Sequence, residues 1–186
     1  MGTTGLLPLE EAYARILDDV LPLRAESTPL PEALGQVLAE DATALLTLPP
    51  WDNSAMDGYA VRSADVAGAS ADAPVTLRVV GEVAAGHEPE MIVEPGTAMR
   101  VLTGGIVPPG ADAVVKVEDT DAAPGVAALP KQVAVHAAVP PAKDIRAAGS
   151  DMAQGDRLLP SGTRVTPAVI AVLAAAGHAR INVHRQ

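Results

Sequence analysis

The sequence predicts an α+β fold, mostly β, in which an all-β barrel- or sandwich-like domain is inserted into a small α+β domain. Three observations carry this. Apolar residues recur at helical spacing only towards the two ends of the chain. Short β-branched runs separated by Gly and Pro turns fill the middle, from Val61 to Val139. Two rigid pairs, Pro49-Pro50 and Pro140-Pro141, bracket that middle stretch. The expected division is therefore a discontinuous domain, 1–48 with 141–186, and an inserted β-domain over 49–140.

The elements follow in order. Leu9, Ala12, Tyr13, Ile16, Leu17 and Val20 fall on one face of a helix. Pro8 can open it without losing a needed N–H, Glu10 and Glu11 suit the positive end of the helix dipole, and Pro22 stops it. A second short helix is expected over Leu30–Ala39, with Leu34, Val37 and Leu38 as its apolar side, and a strand over Ala42–Leu48. The middle stretch offers the strand runs VTLRVVGEV, TAMRVLTG, DAVVKVED and VAALPKQVAVHAAV. After Pro141, Thr166 can cap a helix that begins at Pro167 and runs to about Ala176, Gly177 supplies a left-handed stop, and Ala179–Val183 reads as a last strand.

Composition narrows the function. Hydrophobic residues make up 48% but aromatics only 2%, with no Phe, so the core must be built from Ala, Val, Leu and Ile. A net charge of −10 without any basic run argues against nucleic acid, whose phosphates demand Lys and Arg. Without Cys there is no disulfide, thiolate metal site or thiol nucleophile. No signal peptide and no membrane-length apolar run is visible, so no membrane association is expected and the cytoplasm is the expected compartment. The four His show no ligand-like spacing, and none is expected to bind zinc.

The densest chemistry lies in PPWDNSAMDGYAVR, Pro49 to Arg62. Asp52, Asn53 and Asp57 crowd round the only Trp of the chain. Two readings stay open from the residues alone. Asp and Asn side chains commonly satisfy turn amides, and Asp57-Gly58 is a turn dipeptide. Alternatively Asp57, ionised on a stiff turn, holds a hard cation or a polar ligand group; Mg²⁺ suits one or two carboxylates plus ligand phosphates.

This stretch resembles the signature of the molybdopterin molybdotransferase family, the MoeA and gephyrin E-domain type, with Trp51 in place of Phe. Arg100 to Thr120 (RVLTGGIVPPGADAVVKVEDT) and Asp144 to Gly177 are similar to two further family motifs, with Gly105-Ile106 standing for Ala-Pro. Members are roughly twice as long and continue into a molybdopterin-binding domain. The resemblance implies insertion of molybdate into adenylylated molybdopterin in molybdenum cofactor biosynthesis. It implies that Asp57 helps hold molybdate or Mg²⁺, and that Thr103, with Gly104 in the same turn, binds ligand oxygens. It also implies a homodimer, with molybdopterin adenylyltransferase as a candidate partner. The expectation is an N-terminal portion that lacks the pterin-binding half, binds no cofactor and is inactive alone. The alternative is a non-catalytic dimerisation or scaffold module of gephyrin type. Asp52, Asn53 and Ser54 are read as loop formers, Lys116 and Glu118 as a solvated strand face, and Arg146 as one half of an ion pair.

Overall fold

A computed structural model describes residues 7–123 and 128–184. Helix α1 spans Leu9–Asp18, and an i,i+4 ion pair between Arg15 and Glu11 at 2.6 Å lies along it. Strands follow as β1 (Ala25–Pro29), β2 (Val37–Leu38), β3 (Ala42–Thr43), β4 (Asn53–Ser54), β5 (Gly58–Val61), β6 (Val75–Val83), β7 (Thr97–Val101), β8 (Ala113–Lys116), β9 (Gln132–Val135), β10 (Ile145–Arg146) and β11 (Arg157–Leu159). Helix α2 (Pro167–Ala175) and strand β12 (Arg180–His184) close the described chain. The architecture is thus mostly β with two helices, as the sequence predicts. The fourth predicted strand run begins at Val126; its first two residues lie outside the described residues. No helix among the described residues is long and apolar enough to cross a membrane.

The chain divides into two compact units, Met1–Leu45 with Gly155–Gln186, and Leu46–Gln154. The second boundary lies after Gln154 and not at Pro140-Pro141, because β10 pairs with β4 and so belongs with the inserted stretch.

In the first unit, β1, β12 and β2 form an antiparallel sheet with β12 at its centre, and β3 pairs with β11. Leu30, Leu38, Val165, Leu173, Ile181 and Val183 are the larger members of its core. Helix α2 begins as expected: the Thr166 hydroxyl accepts from the Val169 amide at 3.3 Å, Pro167 follows the cap, and Gly177 beyond the end has φ 95°.

Two expectations fail here. The helix expected over Leu30–Ala39 is a single 3-10 turn, Leu30–Ala33, after which Leu34 is extended and Gly35 takes φ 84°. The left-handed glycine turns the chain, and Val37–Leu38 is recruited as strand β2 against Val183–His184. The strand expected over Ala42–Leu48 survives only as β3. Beyond it the amides of Ala44, Leu45 and Leu48 donate to three separate carbonyls, those of Asp156, Ala176 and Met152, so no ladder forms.

The second unit is organised by a five-stranded sheet of order β8-β5-β7-β6-β9, antiparallel except where β6 meets β7. It buries apolar side chains on both faces. Tyr59, Val61, Leu77, Ala98, Ala113, Val115, Val133 and Val135 belong to one cluster; Ala60, Val83, Met99, Val101 and Val114 belong to another. The alternation along β5 and β8 is the two-residue period of a strand. On β6 a register shift between Val79 and Gly81 transfers Val83 to the cluster opposite Leu77, which simple alternation would forbid.

Candidate functional site

The stretch Pro49 to Arg62 is latched at almost every residue. The Leu48 carbonyl accepts from Asp151 and Met152, and the Pro49 carbonyl from Gly149 at 2.9 Å. Asp52 Oδ1 accepts from the Ala148 amide at 2.8 Å. Ser54 exchanges main-chain bonds with the glycines of the turn after β7: its amide donates to Gly105 and its carbonyl accepts from Gly104, at 2.9 and 2.8 Å. Its hydroxyl donates to the Met56 carbonyl at 2.6 Å, and the Ala55 amide donates to Asp144 at 2.8 Å. Asp52 and Ser54 are therefore loop formers. Trp51 is half exposed beside them.

This framework brings together the two residues expected at the site. Asp57 and Thr103 are 46 positions apart, yet Asp57 Oδ1 accepts both the Thr103 amide and the Thr103 hydroxyl, each at 2.7 Å. Both residues are exposed. The Thr103 amide, and then its hydroxyl, hold the Asp57 carboxyl below its ordinary value of 3.8. Asp57 is thus ionised at neutral pH, and among the described residues no hydrogen bond to its Oδ2 is formed. Gly104 does not face Asp57 with a side chain; at φ 81° it makes the turn that aims the Thr103 amide and returns its own N–H to Ser54. Gly105 is required for another reason, since a Cβ there would meet the Leu102 carbonyl at 2.9 Å.

A hollow of about 20 Å³ lies against Asp57, lined also by Gly58, Tyr59, Arg100, Leu102 and Val117. That is room for one water or bare ion, not for an organic ring system. Tyr59 and Arg100 were not anticipated. They are in register across β5 and β7, and Arg100 forms an ion pair with Glu82 across β6. Burial pushes the Tyr59 hydroxyl up, opposed by the Arg100 charge. The strand period could have found Tyr59, two residues after Asp57 on the same side.

The other candidates separate from this site. The Arg146 guanidinium makes a long 3.5 Å contact to the Ser54 carbonyl, so the main chain and not a carboxylate is the partner there. Lys116 ends β8 and approaches Asp119 at 3.8 Å, while Glu118 lies on a 3-10 turn and not on a strand. Among the described residues no three His, Asp or Glu gather as a metal cage. The donor set at Asp57 is one open carboxylate oxygen with the lone pairs of Thr103. That fits Mg²⁺, which keeps waters or ligand phosphates around one or two carboxylates. A bare oxyanion fits Asp57 and Thr103 poorly, because the Thr103 hydroxyl hydrogen points at Asp57 and the carboxylate charge repels.

Comparison with known proteins agrees with the motifs. Residues 7–177 match the family profile described as MoeA N-terminal region (domain I and II). The chain is 45% identical over 181 residues to a molybdopterin molybdenumtransferase of Synechococcus elongatus, covering 96% of this chain and 43% of the relative. It is 45% identical over 174 residues to molybdopterin molybdenumtransferase 2 of Mycobacterium tuberculosis, covering 93% and 42%. The fold superposes on the crystal structure of a molybdopterin biosynthesis MoeA protein from Pyrococcus horikoshii with a TM-score of 0.86 at 36% identity, over 97% of this chain and 46% of that one. The chain spans less than half the length of the curated relatives it matches. With its profile, its sequence identities and its fold in agreement, the chain belongs to the MoeA N-terminal region family.

Proposed function

We propose that this chain supplies half of the site of a molybdopterin molybdenumtransferase, the activity named for its relatives, and takes part in molybdenum cofactor biosynthesis. The observation that supports this is the Asp57–Thr103 latch: a carboxylate held ionised with Oδ2 open, on a loop anchored on both sides. The adjoining hollow is too small for a pterin, so the pterin-binding half comes from elsewhere, from a further domain or a second polypeptide. By itself the chain is then inactive.

The division of labour follows from charge. Molybdate and adenylylated molybdopterin are anionic substrates, and Asp57 repels both. Asp57 and Thr103 would hold Mg²⁺, which when bound supplies the positive charge that lets a carboxylate and an oxyanion share one site. The contribution of this chain is positioning and electrostatics, with no covalent intermediate on its side chains. A second copy of the chain is the proposed partner in the whole protein, and the cytoplasm the proposed compartment.

The test is a chimera in which this chain replaces the matching segment of the Synechococcus elongatus relative, assayed for cofactor formation from molybdate and adenylylated molybdopterin. Asp57→Ala should lose about 10²-fold or more in rate, the scale of losing one preorganised electrostatic group. A chimera that keeps full rate with Asp57→Ala ends the assignment. A second reading, a dimerisation or scaffold module without catalysis, draws on the exposed apolar face of α1; such a module would leave cofactor formation unchanged by Asp57→Ala and Thr103→Val alike.

A further inference from the structure

Tyr59 sits in the middle of the sheet unit, in register with Arg100 on β7 and with Val115 on β8. Its ring belongs to the apolar cluster of Val61, Leu77, Val115 and Val133. The residue is 1% exposed, yet its hydroxyl has no hydrogen-bond partner among the described residues. A buried tyrosine hydroxyl ordinarily finds one. This one opens onto two adjoining hollows. The first is the 20 Å³ hollow against Asp57; the second, of about 230 Å³, is lined also by Asp121 and Gln132, and Tyr59 and Arg100 border both. The packed ring fixes where the hydroxyl stands before any ligand arrives.

The Asp57 end of this space lacks a donor. The Asp57 carboxylate only accepts, and the Thr103 hydroxyl hydrogen is spent on it. Tyr59 supplies the missing hydrogen, because burial raises its hydroxyl above the ordinary value of 10.0, with Arg100 opposing and Asp121 and Glu82 adding, so it stays protonated at neutral pH. The Arg100 guanidinium lies beside it, held by Glu82. Asp121 is exposed and accepts the Ala134 amide of its own hairpin at 2.8 Å, so water screens its charge. The larger hollow takes the four oxygens of a tetrahedral anion with room left, at ~30 Å³ for each water-sized atom. Its one aromatic ring is packed into the core and offers no face to a flat heterocycle.

We propose that Tyr59 is a ligand-binding residue whose hydroxyl donates to an oxygen of a tetrahedral oxyanion, phosphate or molybdate, drawn into the larger hollow by the cation at Asp57. The proposal rests on the cation reading of Asp57 and adds to it the contact on the anion side. The small hollow then holds the ion and the large one its anionic partner, with Tyr59 at the junction. Phe at this position would keep the ring packing and remove only the donor.

Every group named here comes from this chain, so the full chain is the sample. The chain has two tyrosines, and Tyr13, 64% exposed and in the other unit, serves as internal control. Carbon-detected NMR follows the Tyr59 ζ-carbon and the Asp57 carboxyl while MgCl₂ is added alone, then with sodium phosphate or with sodium molybdate, and each anion is also added without Mg²⁺. Mg²⁺ alone should move the Asp57 carboxyl. Mg²⁺ with an oxyanion should in addition move Tyr59 saturably and leave Tyr13 in place, and the oxyanion without Mg²⁺ should move neither. The anion with the stronger response tells whether the contact is to molybdate or to a phosphate of the second substrate. By calorimetry, Tyr59→Phe should bind that anion about tenfold more weakly at unchanged Mg²⁺ affinity, the scale of one hydrogen bond to a charged group. An Asp57 carboxyl that responds to Mg²⁺ while Tyr59 ignores both anions overturns the proposal and leaves the cation reading standing. So does a Tyr59→Phe variant that binds the anion as the parent does, and so does one that loses Mg²⁺ affinity equally, which places the phenol in the water shell of the ion. An Asp57 carboxyl that ignores Mg²⁺ removes the cation reading, and this contact with it.

Discussion

The two units use the same side chains in opposite ways. In the sheet unit, Ala60, Val61, Val83, Ala98, Val101, Ala113, Val114 and Val115 are completely buried. In the other, Leu9, Tyr13, Ile16, Val20 and Leu21 are more than half exposed. Both draw on Ala, Val, Leu and Ile. A strand inside a sheet spends both of its faces at once when apolar layers lie on each side, and the shift at Val79–Gly81 lets β6 serve both clusters. A helix with one neighbour buries one stripe and leaves the rest. Apolar content therefore marks what becomes covered, by the fold itself or by another surface, and it is the first unit, which carries both helices, that leaves apolar surface exposed.

If the sheet is the tighter core, the largest effect should come from Gly58. A Cβ there would lie 2.0 Å from the Val115 carbonyl and 2.9 Å from Lys116 Cα, both main-chain atoms of β8 that cannot step aside. Gly58→Ala should cost roughly 3 kcal/mol or more, because strands β5 and β8 must separate. Denaturant unfolding measures the loss, and amide exchange should place it in β5 and β8. A variant that unfolds with the parent would show that these strands are not closely packed. In the helical unit, Leu173 is fully buried among Leu30, Val165 and Ile181. Leu173→Ala should cost about 2–4 kcal/mol through the transfer and cavity terms. A cost above that of Gly58→Ala would reverse the ranking of the two cores.

The same contrast explains what could be read from the sequence. Helix α2 was legible because its stop and start are local: Thr166 caps, Pro167 opens and Gly177 ends it. The Val75–Val83 run was legible because β-branched residues bounded by turns need no distant information. The segment 30–39 has apolar spacing that suits a helix, while the deciding facts are the left-handed Gly35 and pairing with β12, about 145 residues away in the chain. At the site, the residues alone leave Asp57 open between a turn former and a ligand holder, and only the family motif decides for the second and adds Thr103. Their contact across 46 positions has no local signal, and neither has the link between Asp144 and Ala55.

That link leads to a smaller effect, of the opposite sign. Ala142 and Asp144 both lie in the left-handed region, at φ 62° and 54°, and the Asp144 carbonyl holds the Ala55 amide of the signature loop. Asp tolerates that conformation; Ala does so at a cost. Ala142→Gly should stabilise the protein by about 0.5–1 kcal/mol, read as a raised denaturant midpoint with unchanged slope. A loss of stability would mean that Ala142 makes a contact worth more than its strain.

The smallest effect distinguishes the exposed site from either core. Thr103 keeps the Asp57 carboxyl below 3.8 chiefly through its amide and secondarily through its hydroxyl. A lowered carboxyl pKa contributes stability that is complete above the unfolded value and is lost as pH falls through the folded value, so the contribution is full at neutral pH and disappears only in strong acid. Because Asp57 is exposed, solvent screens most of this, and acid unfolding should be governed elsewhere. Thr103→Val removes the hydroxyl donor and leaves the amide. Carbon-detected NMR titration of Asp57 should therefore show the midpoint rising only part of the way to 3.8, with the denaturant midpoint at pH 7 scarcely changed. A return all the way to 3.8 would mean that the amide is not a donor to Asp57, and that the turn at Gly104 does not hold Thr103 in place. No shift at all would mean that the hydroxyl is free of Asp57, and its hydrogen would then be available to an oxyanion, which would reverse the charge argument for a cation at this site.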